Sequence, residues 1–541
     1  MSLKTLSLIV NNIKLPTDAS YEEAFSVALK RLKSAGICVR NASTRIFRRS
    51  VDARRKDDIR FVYSVSVKGE FSKVGESALM KAGASIDKSE RPVIEKGTES
   101  LSSRPLVVGS GPAGLFAALL LAEYGYMPIL IERGGSVDER VRVIESFKNT
   151  RILDEDTNIQ FGAGGAGTFS DGKLVTRIND GLSLFVLEKF VEFGAPEEIL
   201  YLAKPHIGTD ILCKVVDNII SRIVSLGGEI RYHTKMTDIV FNDRSVSSIK
   251  TNNGDIECGA LILAIGHSAR DTYEMLLSKG LSIEAKNFSV GMRIEHLTED
   301  IDRAMYGDKA GDPVIGHAEY NLSYNTKQRG VYTFCMCPGG EVVAAASESG
   351  SVVVNGMSKH SRGGKNSNSA VVCSVFKDDY GAGPLEAIAF QRNIERRAFA
   401  AGGFDYSAPI ITFGDFSNDV LKSEPKRVLP TYMDGAGVRL ASPREYLPGF
   451  ICDSIRNAIF DFDNRIRGFA TADAVLTGAE TRTSAPVRIL RNDESKLALG
   501  YNNLYPSGEG AGYAGGITSA SIDGLKVAIE VIKRFKPIKL G

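Results

Sequence analysis

Residues 105–133 read PLVVGSGPAGLFAALLLAEYGYMPILIER. A short apolar run, Leu106 to Val108, enters the turn Gly109-Ser110-Gly111-Pro112-Ala113-Gly114. An apolar helical stretch follows to about Tyr124, Gly125 stops it, and a second apolar run ends at Glu132. Strand, glycine turn, helix, strand and terminal acid together predict a dinucleotide-binding βαβ unit. Gly109 allows the tight turn, Gly111 lets the backbone approach a pyrophosphate, and Gly114 lets helix and strand pack closely. The helix start offers free N–H groups and a partial positive charge to phosphates. Glu132, 18 residues after Gly114, is placed to accept hydrogen bonds from a ribose hydroxyl. Two further GxGxxG strings, at Gly162/Gly164/Gly167 and Gly510/Gly512/Gly515, follow no apolar strand and are not read as second nucleotide units.

At 541 residues, with 43% hydrophobic and 24% charged residues, the chain has the composition of a soluble globular protein of two or three domains. Its seven scattered cysteines favour reduced thiols and a cytoplasmic location over a disulfide scaffold. The N-terminal MSLKTLSLIVNNIKLP has no signal-peptide cleavage pattern, and no apolar run reaches the roughly 18 residues a membrane span requires. No His/Cys/Asp spacing matches a metal site.

The hydrophobic pattern predicts an α/β chain in five parts. Residues 1–84 form a small α+β module, with strands at Ser7–Val10, Val39–Phe47 and Arg60–Val67 and helices at Tyr21–Ala35 and near Val74–Ala82. Residues 85–103 are a polar linker. Residues 104–286 are the first part of a Rossmann-like nucleotide domain, 287–470 an inserted α+β substrate domain, and 471–541 the part that closes the nucleotide domain. Net charge is +2, so no global polyelectrolyte partner is implied. The segment from Arg40 to Arg60 nevertheless carries eight basic and three acidic residues. It reads as a solvated hairpin pairing with Asp52, Asp57 and Asp58, the alternative being a basic face for nucleic acid, an acidic partner or a cofactor phosphate.

Three later segments bear on which dinucleotide binds. The loop NIQFGAGGAGTFSDGKL, 158–174, has glycines at 162, 164, 165, 167 and 172, which let backbone approach a flat ligand or phosphate. A flexible linker is the competing explanation. Residues 209–266 predict a helix, short strands at Glu229–His233, Met236–Phe241, Val246–Thr251 and Ile256–Ile265, and a terminal Gly266. Residues 504–530 predict a strand, Gly508-Glu509, a glycine-rich turn and a long amphipathic helix.

With KPHIGTDIL (204–212), GHSARDTY (266–273), FSVGMRIEH (288–296), YTFCMCPGGEVV (332–343), VVNGMSKHSRGG (353–364), ETRTSAPVRI (480–489) and YPSGEGAGYAGGITSA (505–520), these segments resemble the bacterial FAD-dependent (FAD-utilising) dehydrogenases of unassigned substrate. That family lies within the glutathione-reductase-like flavoproteins. The resemblance covers nearly the whole chain and implies a noncovalent FAD, with NAD(P)H as a transient electron donor or acceptor. It implies that Glu509 binds the ribityl chain and that the amides starting the last helix face the flavin. The family loop commonly reads FGEGGAG; here Ala163 replaces the acid.

The implied cofactor contacts are Gly109, Gly111, Pro112, Ala113, Gly114, Glu132, Arg133, Gly162, Gly164, Gly165, Ala166, Gly167, Lys173, Gly266, Gly508, Glu509, Gly515, Gly516 and Ile517. For catalysis the candidates are His267, which follows a strand-ending glycine, His360 beside Arg362, and Arg482, a two-pronged anchor for a carboxylate or phosphate. An ion pair of Arg482 with Glu480 or Asp473 fits equally well. On the strand 332–337, alternation puts Tyr332, Phe334 and Met336 on one face and Thr333, Cys335 and Cys337 on the other. A cavity wall and a plain sheet core both fit this pattern, which resembles, with one extra residue, the YxWxFPxG strand of geranylgeranyl reductase-like proteins. Two cysteines so spaced on a regular strand lie roughly 6.6 Å apart with parallel side chains, near the limit for a disulfide; disulfide reductases of the fold this chain resembles place their pair just after the βαβ unit, where GGAGTFSDGK holds no cysteine, so flavin–disulfide chemistry is not expected. The expectation is therefore an FAD-dependent oxidoreductase acting on a small organic molecule. The alternative is a nucleic-acid-associated or redox-sensing flavoprotein that uses the N-terminal module.

Overall fold

A computed structural model describes residues 4–87, 93–175 and 180–538. The N-terminal unit is an antiparallel sheet in the order Cys38–Asp52, Arg60–Ser72, Lys4–Pro16, Ala84–Ile86. The helix Tyr21–Ser34 packs on it through Ala24, Ala28 and Leu32, a stripe of helical period. Ser20 caps that helix by accepting the Glu23 N–H. The strand Ala84–Ile86 carries the unit past the boundary expected at 84, because it pairs with Leu8–Val10. Part of the expected linker, 88–92, lies outside the described residues. In the basic hairpin Asp52 pairs with Arg54 and Lys14, Asp57 with Arg55, and Asp58 with Arg60. The unit docks on the rest of the chain through Arg49, whose N–H donates to Tyr201 O at 2.7 Å and whose carbonyl accepts from Ala203 N–H at 2.8 Å.

The nucleotide unit is a parallel sheet ordered Leu504–Pro506, Ala260–Leu263, Pro105–Val108, Ile129–Ile131, Glu229–Arg231. The helix Pro112–Glu123 is apolar all round because it is covered all round, by this sheet and by the helices Ile517–Arg534 and Thr209–Ser225. Gly524 permits the closest approach: a Cβ there would lie 2.0 Å from Ala113 O. The single strand expected over 256–265 is two strands. Gly254–Glu257 ends an antiparallel meander, and Ala260–Leu263 enters the parallel sheet. They part at Gly259, where contact with Ser103 O leaves no room for a Cβ.

The third unit is a seven-stranded mixed sheet ordered Ser323–Asn325, Gly330–Cys337, Asn366–Val375, Phe288–Leu297, Val475–Glu480, Ala408–Thr412, Val438–Leu440. Val475–Glu480 hydrogen-bonds both Phe288–Leu297 and Ala408–Thr412. The inserted unit therefore runs past residue 470, the boundary expected from sequence. The chain enters and leaves it beside the paired strands Ile283–Ala285 and Val487–Ile489. Among the described residues no helix is long and apolar enough to cross a membrane.

Candidate functional site

One cavity of about 1070 Å³ lies where the nucleotide unit meets the seven-stranded sheet. Its floor begins at the turn after Pro105–Val108. Gly109 has φ +98°, and a Cβ there would sit 2.3 Å from Ala264 O. Gly111 differs: a Cβ there would meet only Gly165 Cα, at 3.9 Å. That space is open to a ligand, directly before the first turn of Pro112–Glu123. The first amides of a helix have no intrahelical partner and suit a pyrophosphate.

Glu132 closes this end. Its Oε2 accepts the Ser110 N–H and hydroxyl, and its Oε1 accepts the N–H groups of Gly134 and Gly162. The carboxylate thus ties the turn to the glycine-rich loop, and a ribose hydroxyl would have to compete with Ser110 Oγ. Arg133 stacks 4.3 Å from the Phe161 ring centroid and donates to Asp271 at 2.9 Å. Burial opposes ionisation of Asp271, but Arg133 and Lys235 outweigh it and hold its pKa near about 2.

The glycine-rich loop is shaped by Arg140, a residue that sequence reasoning missed. Its guanidinium is fully buried and donates to the carbonyls of Asn158, Ile159, Ala163 and Gly165. Burial lowers its pKa to about 10, with Glu132 opposing. The fork presses Gly165 against Gly111 and leaves Gly165, Ala166 and Gly167 on the cavity wall. Gly167 in turn abuts Ile517, at the start of the last helix.

Glu509, Gly515, Gly516 and Ile517 line the far end. Burial raises the Glu509 pKa to about 7, against the pull of Lys286. Lys286 also lines the cavity, and burial lowers its pKa. Neither side chain has a hydrogen-bonding partner among the described residues.

Of the other cofactor candidates, Gly109, Gly111, Pro112, Ala113, Glu132, Arg133, Lys173 and Gly266 also line the cavity. Gly114, Gly162, Gly164 and Gly508 stand behind it. A Cβ on Gly114 would lie 1.9 Å from Gly109 O, the amides of Gly162 and Gly164 donate to Glu132 and to Ser110 O, and that of Gly508 donates to Asp523.

The catalytic candidates separate. His267 lines the cavity; its Nδ1 is 2.8 Å from Ser268 Oγ. Burial and the nearby Arg482 and Arg270 push its pKa down to about 3, so the imidazole is neutral. Arg482 lines the cavity, but its charge is spent. Its Nε and Nη2 donate to Oε1 and Oε2 of Glu395, at 2.8 and 3.0 Å. Glu395, on the helix Pro384–Ala401, replaces the expected partners Glu480 and Asp473; Glu480 instead pairs with Arg293 at 2.8 Å. His360 is away from the cavity, stacked on His206 at 5.2 Å with Nδ1 3.0 Å from Ile207 O. Among the described residues no group of three or more His, Cys, Asp or Glu is placed to hold a metal ion.

The opposite wall is the strand Gly330–Cys337. Tyr332, Thr333, Phe334, Cys335 and Met336 all reach the cavity, and Cys337 is buried outside it. Beyond Phe334 simple alternation fails because the strand bulges between Phe334 and Cys337. Lys286, Glu480 and Asn355 also line the cavity; the last two fall in the segments 480–489 and 353–364, but only the fold shows that they face this space.

Residues 103–145 match the model of an "FAD binding domain", and 287–483 match "FAD-dependent protein, C-terminal domain-like". Residues 8–68 match a domain of unknown function. An uncharacterized protein of Clostridium beijerinckii is 45% identical over 534 residues, covering 98% of this chain and 99% of that protein. The chain belongs to its family, an FAD-dependent one. Among solved structures, a geranylgeranyl bacteriochlorophyll reductase-like protein from Thermoplasma acidophilum aligns at 13% identity over 80% of this chain and 79% of its own, with a TM-score of 0.34. Glycine oxidase from Bacillus cereus aligns at 10% identity over 80% and 98%, also with a TM-score of 0.34.

The cavity residues fit FAD. The space at Gly111 and the adjacent helix start suit its pyrophosphate, and the unpartnered Glu509 carboxylate suits a polyol hydroxyl.

Proposed function

We propose that this protein is an FAD-dependent oxidoreductase with a glutathione-reductase-type cofactor unit. It exchanges hydride or electrons with a small organic molecule held between that unit and the seven-stranded sheet. One observation carries the reading: a single cavity runs from the phosphate turn at Gly109 to the wall at Tyr332–Met336. Its volume of about 1070 Å³ is at the top of the range for sites holding one small ligand. We read this one space as shared by a nucleotide at the Gly109 turn and a second molecule at the opposite wall.

When bound, FAD supplies the two-electron carrier. The protein supplies position and electrostatics. Gly111 and the start of Pro112–Glu123 receive the pyrophosphate, and Glu132 and Arg133 flank the adenosine end. Glu509 would accept from the ribityl chain. The N–H groups at Gly515–Ile517, at the positive end of the last helix, would face the ring and favour negative charge there on reduction. His267 stays neutral on the wall, and Arg482, neutralised by Glu395, shapes that wall. Tyr332 is oriented by its hydroxyl, which donates to Ser289 Oγ at 2.9 Å. A nicotinamide nucleotide acting as donor or acceptor would enter the same cavity transiently. We place the protein in the cytoplasm, where scattered cysteines stay reduced.

The test is purification followed by anaerobic reduction. The protein should be yellow, release FAD in a one-to-one ratio, and have its reduced flavin reoxidised by members of an organic-acceptor panel faster than by buffer alone. Colourless, adenine-free protein would refute the reading.

A further inference from the structure

The wall Gly330–Cys337 holds two thiols that this function leaves unused. Its pairing with Asn366–Val375 is regular to Phe334 opposite Ala370 and resumes at Cys337 opposite Asn368, so one extra residue is absorbed between them. Cys335 sits there with φ +45°, a left-handed conformation uncommon for a residue with a side chain. The regular-strand geometry that argued against joining these cysteines is therefore absent. Cys337 Sγ donates to Cys335 O at 3.3 Å, so the buried thiol folds back onto its neighbour's backbone.

Their surroundings differ. Cys335 faces the cavity, whereas Cys337 is fully buried behind it. Arg293 Nη1 donates to Cys335 O at 3.1 Å. Lys173, on the glycine-rich loop, donates to the next carbonyl, Met336 O. The adjoining Cys337 thiol and these two cations outweigh burial and lower the Cys335 pKa, while the Cys337 thiol is pushed up. This is the asymmetry of an attacking thiolate and a protonated partner.

We propose that Cys335 and Cys337 form a redox-active dithiol that exchanges an electron pair with the flavin in the shared cavity. The inference rests on FAD occupying that cavity, as the proposed function holds. In the oxidising direction both S–H bonds break and one Sγ–Sγ bond forms. Two electrons and two protons pass to the oxidised flavin, which is the only oxidant required. In the reverse direction reduced flavin returns them and the Sγ–Sγ bond breaks. Cys335 is the thiol that meets the cofactor, and Cys337 closes the bridge. The protein then stores two electron pairs, one on flavin and one on sulfur.

The test uses the FAD-loaded protein, oxidised with diamide, freed of reagent and titrated anaerobically with dithionite. Wild type should take up two electron pairs per flavin, and Cys335→Ser and Cys337→Ser only one. Mass mapping of the diamide-treated wild type, alkylated under denaturing conditions, should find the peptide carrying both cysteines lighter by two hydrogens and closed to iodoacetamide; after dithionite both should alkylate. That readout needs no variant and no turnover. Yellow wild type that takes up a single pair and leaves both thiols open to iodoacetamide would overturn the dithiol alone. Colourless protein would overturn the cofactor assignment and this inference with it.

Discussion

Ser110 donates both its backbone N–H and its hydroxyl to Oε2 of Glu132, at 2.9 and 2.7 Å. With Gly134 and Gly162 on Oε1, one buried carboxylate joins the phosphate turn to the glycine-rich loop. Each donor stranded by its loss costs about 1–3 kcal/mol. Glu132→Ala is expected to melt several degrees below wild type and to lose FAD on gel filtration. Ser110→Ala keeps the N–H bond and opens Oε2 to a ribose hydroxyl, so it should keep its FAD. Thermal melts and flavin content after filtration check both variants; loss of cofactor from Ser110→Ala would contradict the competition between Ser110 and ribose.

Gly111 and Gly114 are two glycines of one turn with different duties. A Cβ on Gly114 would strike Gly109 O at 1.9 Å, whereas one on Gly111 finds open cavity. Gly114→Ala should therefore lower stability by about 1–3 kcal/mol or more, through overpacking. Gly111→Ala should leave the melt of the FAD-free protein unchanged and weaken FAD at least tenfold, about 1.4 kcal/mol. Denaturant melts of the stripped proteins and FAD titrations separate the two effects.

The βαβ unit could be read because its determinants are local: glycine spacing, an apolar helix and an acid at a strand end. Arg140 could not, since its partners, 18 to 25 residues away, are backbone carbonyls and leave no side-chain signature. Arg482 was visible as a candidate but Glu395 was not, because only tertiary closure joins positions 87 residues apart. His360 was misread from its neighbour Arg362; folding turns it onto His206. The strand Val475–Glu480 is buried throughout, and an apolar run does not say which sheet it joins. At Cys335 alternation failed because a bulge changes the period without changing composition.

Glu395 carries two guanidinium groups. Arg270 and Arg482 each pair with both of its oxygens, at 2.8–3.0 Å. Burial alone would raise this carboxyl, but the two arginines hold it well below the usual carboxylate range. A depressed native pKa gives stability that is complete above the unfolded value of about 4.3 and is lost as pH falls towards the native value. Wild-type melting should therefore drop steeply below about pH 4.3. Glu395→Gln should lose about 3–5 kcal/mol at neutral pH and show a shallower acid slope. Equal acid slopes in melts from neutral to acid pH would contradict the assignment.

Arg140 offers a test of geometry against charge. Lysine keeps the charge but lacks the planar fork that reaches four carbonyls. Arg140→Lys should leave several of them unsatisfied, melt well below wild type and release FAD. Rescue of FAD binding by lysine, measured by equilibrium titration, would show that charge beside Glu132 is what matters and that the fork is dispensable.

Glu509 ties cofactor binding to pH. Burial lifts its pKa to about 7, so in the FAD-free protein the carboxyl is neutral below that pH. A ribityl hydroxyl donates to the ionised form and stabilises it, so the pKa falls on binding. FAD affinity should then be highest above pH 7 and weaken by up to tenfold per pH unit as pH falls through about 7, levelling once the pKa of the complex is passed. Glu509→Gln, which cannot ionise, should bind more weakly at high pH and show no such slope. Titrating FAD into stripped protein from about pH 5.5 to 8.5 reads both curves. An affinity that rises on acidification would mean that the carboxyl donates to the cofactor rather than accepts from it.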